Sequence, residues 1–269
     1  MAEHLLGVIG GGGNMAEAIL RGIVRSGFLP PEAIIVSDPA EARRDLISRT
    51  LNIAAVADNA QPARCPRILL AVKPQMMSPV LEGIAPHVTA GATVISIAAG
   101  VPTARIDGLL GGRGHIVRVM PNTPMLVGAG VSAIAAGPRA GKSELDWTEK
   151  LFSTAGLCCR VEESMIDAVT AVSGSGPAYF CYLVEAMIAA GVAEGLPADV
   201  ATLLATSTCA GTGQLMLESA DRPEVLRAKV TSPGGTTQRA IETMEAAGVK
   251  DALVAAIRAA AARSRELGK

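Results

Sequence analysis

Four consecutive glycines followed by Asn14, Met15 and Ala16 form the segment of this sequence best suited to hold a phosphate group. Glycine permits a tight turn and lets backbone N–H groups approach an anion, and a helix that begins there presents its positive end to the charge. A strand-like run precedes the glycines and a helical segment follows them, as a dinucleotide-binding loop requires. Gly11, Gly13 and Ala16 fit the spacing, and the fourth glycine leaves the register open. The residues expected at the cofactor pyrophosphate are Gly11, Gly12, Gly13, Asn14 and Met15.

The next strand-like run ends at Ser37 and Asp38. An acidic residue at this point of a dinucleotide-binding fold binds the ribose of NAD, whereas NADP requires groups that accept its 2′-phosphate. Ser37, Arg43 and Arg44 could serve such a phosphate, although two arginines in an early helix turn could equally lie on a solvated face. Ser37 is therefore assigned to the cofactor site, and the choice between NADP and NAD stays open.

Two further strand ends carry the sequences Ala-Val-Lys-Pro and Ala-Ala-Gly, at the edge of the sheet where doubly wound folds bind ligands. Lys73 could act as an acid, but Pro74 forces an extended exit, so shaping the nicotinamide pocket with backbone is an equal alternative. The residues expected there are Ala71, Val72, Lys73, Pro74, Ala98, Ala99 and Gly100. A third strand end, Met-Pro-Asn-Thr-Pro at 120–124, predicts a rigid loop, and which of its side chains face a ligand stays open.

The C-terminal half contains Ser-Pro-Gly-Gly-Thr-Thr at 232–237, just before a predicted helix. A Pro-Gly-Gly turn at a helix start exposes several N–H donors, which suits a carboxylate. N-capping of the helix by Thr236 is the alternative. The three histidines lie outside every motif, and the sequence contains no metal cluster and no Ser-His-Asp grouping. A reaction that needs little proton transfer from the protein would fit these residues.

Apolar strand-like runs alternate with helical segments through the first half of the chain. The runs lie at 5–9, 33–37, 67–72, 93–97 and 115–119, and a helix-strand unit follows at 144–161. This pattern predicts a doubly wound, mainly parallel α/β sheet of Rossmann type. After about Glu163 only helical segments follow. We therefore predict a dinucleotide-binding domain at 1–163 and an all-α domain at 164–269.

The composition restricts the partners and the compartment. The chain has 269 residues, a formal net charge of -1 and no block of Lys or Arg, which argues against nucleic acid or an anionic membrane as partner. Five cysteines without a CxxC pair favour a reducing compartment, and the first residues lack the pattern of a signal peptide. We expect a cytoplasmic protein.

The segment 178–194 is apolar almost all the way round, and Glu185 lies near its middle. It is shorter than the ~20 residues that a membrane span needs. A helix of this kind requires cover on every side. An intertwined dimer would provide that cover, and burial in the core of the chain itself is the competing explanation.

The combination of motifs resembles the pyrroline-5-carboxylate reductase family, in the same order along the chain. The matching segments are Gly-Gly-Asn-Met-Ala-Glu-Ala-Ile at 12–19, Ala-Val-Lys-Pro-Gln at 71–75, Ser-Ile-Ala-Ala-Gly-Val at 96–101, Met-Pro-Asn-Thr-Pro at 120–124, Val-Ser-Gly-Ser-Gly-Pro-Ala-Tyr at 172–179 and Ser-Pro-Gly-Gly-Thr-Thr at 232–237. The resemblance runs nearly end to end. It implies reduction of 1-pyrroline-5-carboxylate to L-proline with NADPH or NADH. A protonated cyclic imine is already electrophilic, so positioning can supply most of the catalysis.

The resemblance also implies roles for single residues and an assembly. Thr237 would be the catalytic residue, bonded to the ring nitrogen of the imine, and the amides of 234–236 would hold its carboxylate. The implied substrate-binding residues are Ser175, Gly176, Gly234, Gly235, Thr236 and Thr237, and Asn59 is added to the cofactor-binding residues. Family members are dimers through the helical domain, sometimes assembled into decamers, so we expect a homodimer.

Two rival functions remain at this stage. A β-hydroxyacid dehydrogenase would share the fold, but that family relies on a lysine in the first interdomain helix, and 162–197 contains no Lys. A non-catalytic dinucleotide-binding protein that senses or scaffolds is the second rival. Oxidation of the reduced cofactor in the presence of pyrroline-5-carboxylate separates all three.

Overall fold

The structure is a computed structural model that describes residues 4–268. These residues form two compact units. The first contains the described residues up to Gly174 together with those from Ala260 onward, and the second is Ser175–Ala259. The predicted domain boundary between residues 163 and 164 was drawn where the strands end, and it stays a prediction.

An eight-stranded sheet organises the first unit. Its strands are β1 (Leu6–Ile9), β2 (Ile34–Ser37), β3 (Ala54–Val56), β4 (Arg67–Leu70), β5 (Thr93–Ser96), β6 (His115–Met120), β7 (Gly130–Ala136) and β8 (Gly156–Arg160), in the order β3-β2-β1-β4-β5-β6-β7-β8. The first six run parallel in the 3-2-1-4-5-6 order of dinucleotide-binding folds. Strand β7 is antiparallel to β6, and β8 is parallel to β7. The predicted doubly wound, mainly parallel α/β fold is confirmed.

Strands β3 and β7 were not among the predicted strands. β3 is only three residues long, lies at the edge of the sheet and keeps its side chains partly exposed. β7 has the sequence Gly-Val-Ser-Ala-Ile-Ala-Ala, whose small residues have little preference for strand. Pairing with neighbouring strands decides both elements, and composition does not reveal that pairing.

Five helices cover the two faces of the sheet. They are α1 (Asn14–Ser26), α2 (Glu41–Leu51), α3 (Met77–Ile84), α4 (Thr103–Leu109) and α5 (Lys142–Phe152). Side chains of α1, α2 and α5 form one apolar core, and side chains of α3 and α4 form the other. Successive residues of a strand point to opposite faces, so Leu69 joins the first core while Ile68 and Leu70 join the second.

The remaining chain is helical, as predicted. It contains α6 (Ile166–Val169), a π-helix (Thr170–Gly174), α7 (Gly176–Ala193), α8 (Ala198–Glu218), α9 (Pro223–Lys229), α10 (Thr236–Ala246) and α11 (Val249–Leu267). In α7 only Gly176 is buried, and Phe180, Tyr182 and Leu183 are 54%, 74% and 51% exposed. Burial in the core of the chain itself, one of the two explanations for this apolar helix, is therefore wrong. By length and composition alone, the helical stretch Glu163–Ala193 would also suffice to cross a membrane.

Arg118 on β6 is a charged residue of which only 5% is exposed. Its counter-ion is Glu163, whose Oε1 lies 3.4 Å from Arg118 Nη1. The same carboxylate accepts hydrogen bonds from the backbone N–H of Thr103 at 2.7 Å and from its hydroxyl at 2.6 Å. Thr103 is the first residue of α4. The N-cap residue before it, Pro102, provides no side-chain hydrogen bond to the helix start. Glu163 therefore serves a buried cation and a helix start together, and attaches the segment after β8 to the sheet.

We expect Glu163→Gln to lower the free energy of unfolding by about 2 kcal/mol. Removing one partner of a fully buried ion pair costs roughly 3–5 kcal/mol, and the Glu163 side chain keeps 29% of its surface exposed. Urea unfolding at fixed protein concentration measures the change. Glu162→Gln is the matched control, because Glu162 is exposed and has no ion pair among the described residues. Equal losses in the two variants would contradict this account of Arg118.

Candidate functional site

The glycine loop turns directly after β1. Gly10 has a φ of +78°, which favours glycine, and the amides of Gly10 and Gly11 both donate to Ser37 O, at 2.9 and 3.0 Å. A Cβ atom on Gly11 would lie 2.2 Å from Val36 Cγ1. The loop is therefore pressed against the end of β2, and the first two glycines make the turn that the sequence predicted.

Of the five residues predicted to lie at the pyrophosphate, Gly12 and Gly13 have amides that are already bonded. The Gly12 amide donates to Asp38 Oδ2 at 2.9 Å, and the Gly13 amide donates to Gly10 O at 3.3 Å. Gly13 is the N-cap of α1 and provides no capping side chain. The first three amides of a helix have no partner inside it, and here they belong to Asn14, Met15 and Ala16. A pyrophosphate fits this helix start.

Ser37 and Asn59, two of the predicted cofactor-binding residues, are hydrogen-bonded to each other. The Ser37 hydroxyl is completely buried and donates to Asn59 Oδ1 at 2.7 Å. Asn59 lines a cavity of about 320 Å³ beyond the end of β3. Sequence reasoning reached Asn59 only through the family resemblance, because the residue lies in a loop without a motif of its own.

Asp38 is fixed by two backbone amides, those of Gly12 and of Ala40, the latter at 2.9 Å from Oδ1. The two arginines that follow are bound to the same turn. Arg44 donates from Nη1 to Asp38 O and to Pro39 O, both at 2.9 Å. The guanidinium of Arg44 therefore binds backbone oxygen atoms of the same turn that carries the Asp38 carboxylate.

Arg43 connects this turn to the first helix. It donates to the carbonyl oxygen of Gly12 and pairs with Glu17 Oε2 at 2.7 Å. A hydrogen bond from Arg21, together with the pairing to Arg43, holds the pKa of the Glu17 carboxyl below its ordinary value. Neither Arg43 nor Glu17 was predicted to hold the loop, and Arg43 could be found only from its position after the second strand.

The strand ends at 71–74 and 98–100 lie at the carboxyl edge of the sheet, as predicted. Lys73 is exposed and leaves β4 with φ −61° and ψ 145°, which is the extended exit that Pro74 imposes. Gly100 has a φ of +74°, and a Cβ atom on it would lie 2.9 Å from Leu267 Cβ. The last turn of α11 therefore contacts this loop, a neighbour that no sequence pattern indicated.

In the second unit, α10 begins directly after the Ser-Pro-Gly-Gly turn. Its N-cap is Gly235 and its first residue is Thr236, so the alternative in which Thr236 caps the helix is wrong. The amide of Gly234 donates to Gln238 Oε1 at 2.7 Å, and that of Gly235 donates to Ser232 O at 3.0 Å. The open amides are therefore the first three of α10, those of Thr236, Thr237 and Gln238.

Thr237 is half-buried, and its hydroxyl has no hydrogen-bond partner within residues 4–268. Ser175 is the N-cap of α7, Gly176 after it is buried, and Pro177 lies in the first turn. All predicted substrate-binding residues belong to the second unit, and all predicted cofactor-binding residues belong to the first.

The described residues contain no group of three or more His, Cys, Asp or Glu side chains that could hold a metal ion. Among their helix starts, those of α1 and α10 each have a glycine N-cap and no capping side chain. Each can bind an anionic group without a charged side chain. Binding and orientation of anionic molecules is therefore the chemistry that this arrangement supports.

The fold and the loop after β1 define the class of the protein first. Residues 5–100 match the family model described as NADP oxidoreductase, coenzyme F420-dependent. Residues 163–267 match the family model described as pyrroline-5-carboxylate reductase dimerisation. The protein is thus a dinucleotide-dependent oxidoreductase whose helical region is of an oligomer-forming type.

Full-length relatives define the family. The chain is 45% identical to pyrroline-5-carboxylate reductase of Synechocystis, over 98% of each chain. It matches the structure of a pyrroline-5-carboxylate reductase from Coxiella burnetii over the whole of both chains, with a TM-score of 0.92 and 35% identity. A pyrroline carboxylate reductase structure from Plasmodium falciparum with NADP bound matches over both whole chains, with a TM-score of 0.88 and 28% identity. The chain belongs to the pyrroline-5-carboxylate reductase family.

We expect Asp38→Asn to raise the ratio of kcat/KM for NADPH to that for NADH about fivefold. In this fold class the residue lies beside the adenosine ribose, and two unit charges 4 Å apart in water repel by about 1 kcal/mol. Steady-state kinetics with both cofactors measures the ratio. Asp45→Asn is the control, because Asp45 is exposed on α2 and pairs only with Arg49. An unchanged ratio in Asp38→Asn would mean that the carboxylate does not face the 2′ position.

Proposed function

We propose that this chain reduces 1-pyrroline-5-carboxylate to L-proline with NADPH, or with NADH, as the last step of proline synthesis. The observation that carries the proposal is the uncapped start of α10, with three open amides and the free hydroxyl of Thr237. A small cyclic imine with one carboxylate matches these groups. The family of the chain supports the same substrate.

The cofactor is proposed to bind along the carboxyl edge of the sheet. Its pyrophosphate would accept hydrogen bonds from the Asn14 and Met15 amides, with Gly11, Gly12 and Gly13 forming the turn beneath it. The proposed remaining contacts are Ser37, Asn59, Ala71, Val72, Lys73, Pro74, Ala98, Ala99 and Gly100. NADPH is the proposed preference, because Arg43 and Arg44 lie beside Asp38 and a relative binds NADP. The extended backbone at Lys73, imposed by Pro74, supports a pocket-shaping role over acid catalysis.

The substrate carboxylate is proposed to accept hydrogen bonds at the start of α10. Gly234 and Gly235 provide the turn, and the amides of Thr236 and Thr237 provide the donors. Ser175 and Gly176 would complete the substrate site. The ring N–H of the protonated imine would donate to the Thr237 hydroxyl oxygen, which fixes the orientation of the C=N bond.

Little chemistry is then required of the protein itself. When bound, the reduced nicotinamide supplies a hydride to the imine carbon, and the C=N π electrons become the nitrogen lone pair. The nitrogen already carries its proton, so no side chain has to deliver one during the reduction. This agrees with a site built from amides and one hydroxyl. Orientation of the reactants can account for most of the rate.

The assembly proposed is a homodimer through the helical unit, with decamers as a larger assembly of such dimers. The exposed apolar side chains of α7 and the match of 163–267 to a dimerisation family support it. The proposed partners are otherwise the imine and proline alone, with neither nucleic acid nor membrane. A cytoplasmic location is proposed on the cysteine content and on the net charge of -1.

The proposed activity is tested by following oxidation of NADPH and NADH in the presence of pyrroline-5-carboxylate, and reduction of NADP+ and NAD+ in the presence of simple 3-hydroxy acids. We expect turnover with the imine and none with the hydroxy acids. Tight cofactor binding without turnover of the imine would support the sensor function instead. Turnover of hydroxy acids would support the dehydrogenase.

We expect Thr237→Ala to lower kcat/KM for the imine roughly ten- to a hundredfold with an unchanged Kd for NADPH. One hydrogen bond to a charged group is worth about 1.5–3 kcal/mol. Thr237→Ser keeps the hydroxyl and should retain most of the activity. Thr236→Ala is the matched control, because Thr236 is exposed and does not cap α10. Equal activity of the Ala and Ser variants at position 237 would exclude the role proposed for this hydroxyl.

We expect Leu183→Glu to convert the dimer into monomers or to prevent its folding, because it would bury an unpaired charge in the interface at a cost of several kcal/mol. Sedimentation velocity measures the assembly. Leu157→Glu is the control, because Leu157 is 63% exposed on β8, outside the helical unit. A stable monomer of the unmodified protein would overturn the proposed assembly.

A further inference from the structure

A π-helix of five residues, Thr170–Gly174, connects α6 to α7. π-helices are rare and occur frequently at functional sites. The Thr170 hydroxyl donates to Ile166 O at 2.8 Å, a type of bond that bends helices. The π-helix ends immediately before Ser175 and Gly176, which are assigned above to the substrate site. The conformation of the π-helix therefore determines where the backbone of Ser175 and Gly176 begins.

Asn122, in the Met-Pro-Asn-Thr-Pro loop, is bonded to this π-helix. Only 8% of Asn122 is exposed. Its Oδ1 accepts a hydrogen bond from Val131 N at 2.9 Å, at the start of β7, and its Nδ2 donates to Ser173 Oγ at 3.4 Å. Because the oxygen of the amide is held by the sheet, the NH₂ group is directed at Ser173.

Met120, which begins the same Met-Pro-Asn-Thr-Pro motif, contacts Gly174, the residue of the π-helix that follows Ser173. A Cβ atom on Gly174 would lie 2.4 Å from Met120 Cε and 3.7 Å from Thr170 Cγ2. Met120 is the last residue of β6 and pairs with Ala133 of β7. A side chain at position 174 would therefore displace the terminal methyl group of Met120, which is the flexible end of that side chain.

We propose that Met120 and Asn122 are positioning residues for the substrate: through Gly174 and Ser173 they fix the π-helix, and with it the conformation of Ser175 and Gly176. The proposal rests on the proposed function. It assigns a role to the 120–124 loop, whose ligand-facing side chains the sequence left open. This loop acts by holding the π-helix. Changes in this loop should therefore affect binding of the imine. Cofactor binding should be unchanged, because the proposed cofactor contacts all precede residue 101.

The hydrogen bond is tested with Ser173→Ala and Ser173→Thr, with saturating NADPH and varied pyrroline-5-carboxylate. Ser173→Ala leaves the bond between Asn122 and Val131 intact, so it removes only the contact to the π-helix. We expect KM for the imine to rise about three- to tenfold, the effect of one ordinary hydrogen bond, with kcat, the Kd for NADPH and Tm nearly unchanged. Ser173→Thr keeps the hydroxyl and should restore KM. Ser48→Ala is the matched control, because it removes a serine hydrogen bond, to Ile53 O at 3.0 Å, far along the chain from this loop.

The close approach is tested with Gly174→Ala alone and combined with Met120→Ala. The added methyl displaces the end of the Met120 side chain from its place against the π-helix, and we expect KM for the imine to rise. Removing the Met120 side chain gives the methyl room, so the double variant should have a lower KM than Gly174→Ala alone. Such coupling is expected only of residues in contact.

The outcomes distinguish this inference from the function on which it rests. Absence of imine turnover by the unmodified protein would refute the proposed function, and the inference with it. With turnover present, a lower Tm at unchanged KM in Ser173→Ala would make the contact purely structural and overturn the inference. Independent effects of the changes at positions 120 and 174 would do the same.

Discussion

An α-helix cannot pair its first three amides internally, and the binding chemistry of this protein depends on that constraint. Both α1 and α10 begin after a glycine N-cap, Gly13 and Gly235, and neither has a capping side chain. At most helix starts a Ser, Thr, Asp or Asn side chain would satisfy these donors. In α1 and α10 the uncapped start follows a glycine turn, so that backbone amides are accessible to an anionic group at both places.

Open donors bind selectively only when the turn beside them is fixed and its own amides are satisfied. In the first unit Asp38 accepts the Gly12 amide, and Arg43 connects the Gly12 carbonyl to Glu17. In the second unit Gln238 accepts the Gly234 amide. These side chains bind backbone groups that precede the helix start. The first amides of the helix itself are left free. The same glycines that permit the close turns would otherwise leave the loops disordered, because glycine has the most conformational freedom to lose.

Charge and apolar surface are distributed unequally between the two units. In the first, even the buried guanidinium of Arg118 has a carboxylate partner, and apolar side chains fill cores on both faces of the sheet. In the second, large apolar side chains of α7 remain exposed in the single chain. An exposed apolar surface of this kind marks an interaction site. The second unit therefore has a surface suited to contact with another protein chain, in agreement with its match to a dimerisation family.

The sequence by itself determined the fold class, because buried parallel strands read as continuous apolar runs and glycine turns mark where each run ends. It also predicted two ligand-binding segments, since the order of residues in the glycine loop and in the Ser-Pro-Gly-Gly-Thr-Thr turn suits each of them to an anion. Only the tertiary structure decided which amides of the glycine loop stay open, because Asp38 binds the Gly12 amide from the end of the next strand, a contact that no local pattern encodes. The same holds for β7, whose small residues become a strand through pairing, and for Asn122, whose partner Ser173 is distant in sequence. Local composition encodes turns and periodicity, whereas long-range hydrogen bonds depend on which strands and helices become neighbours.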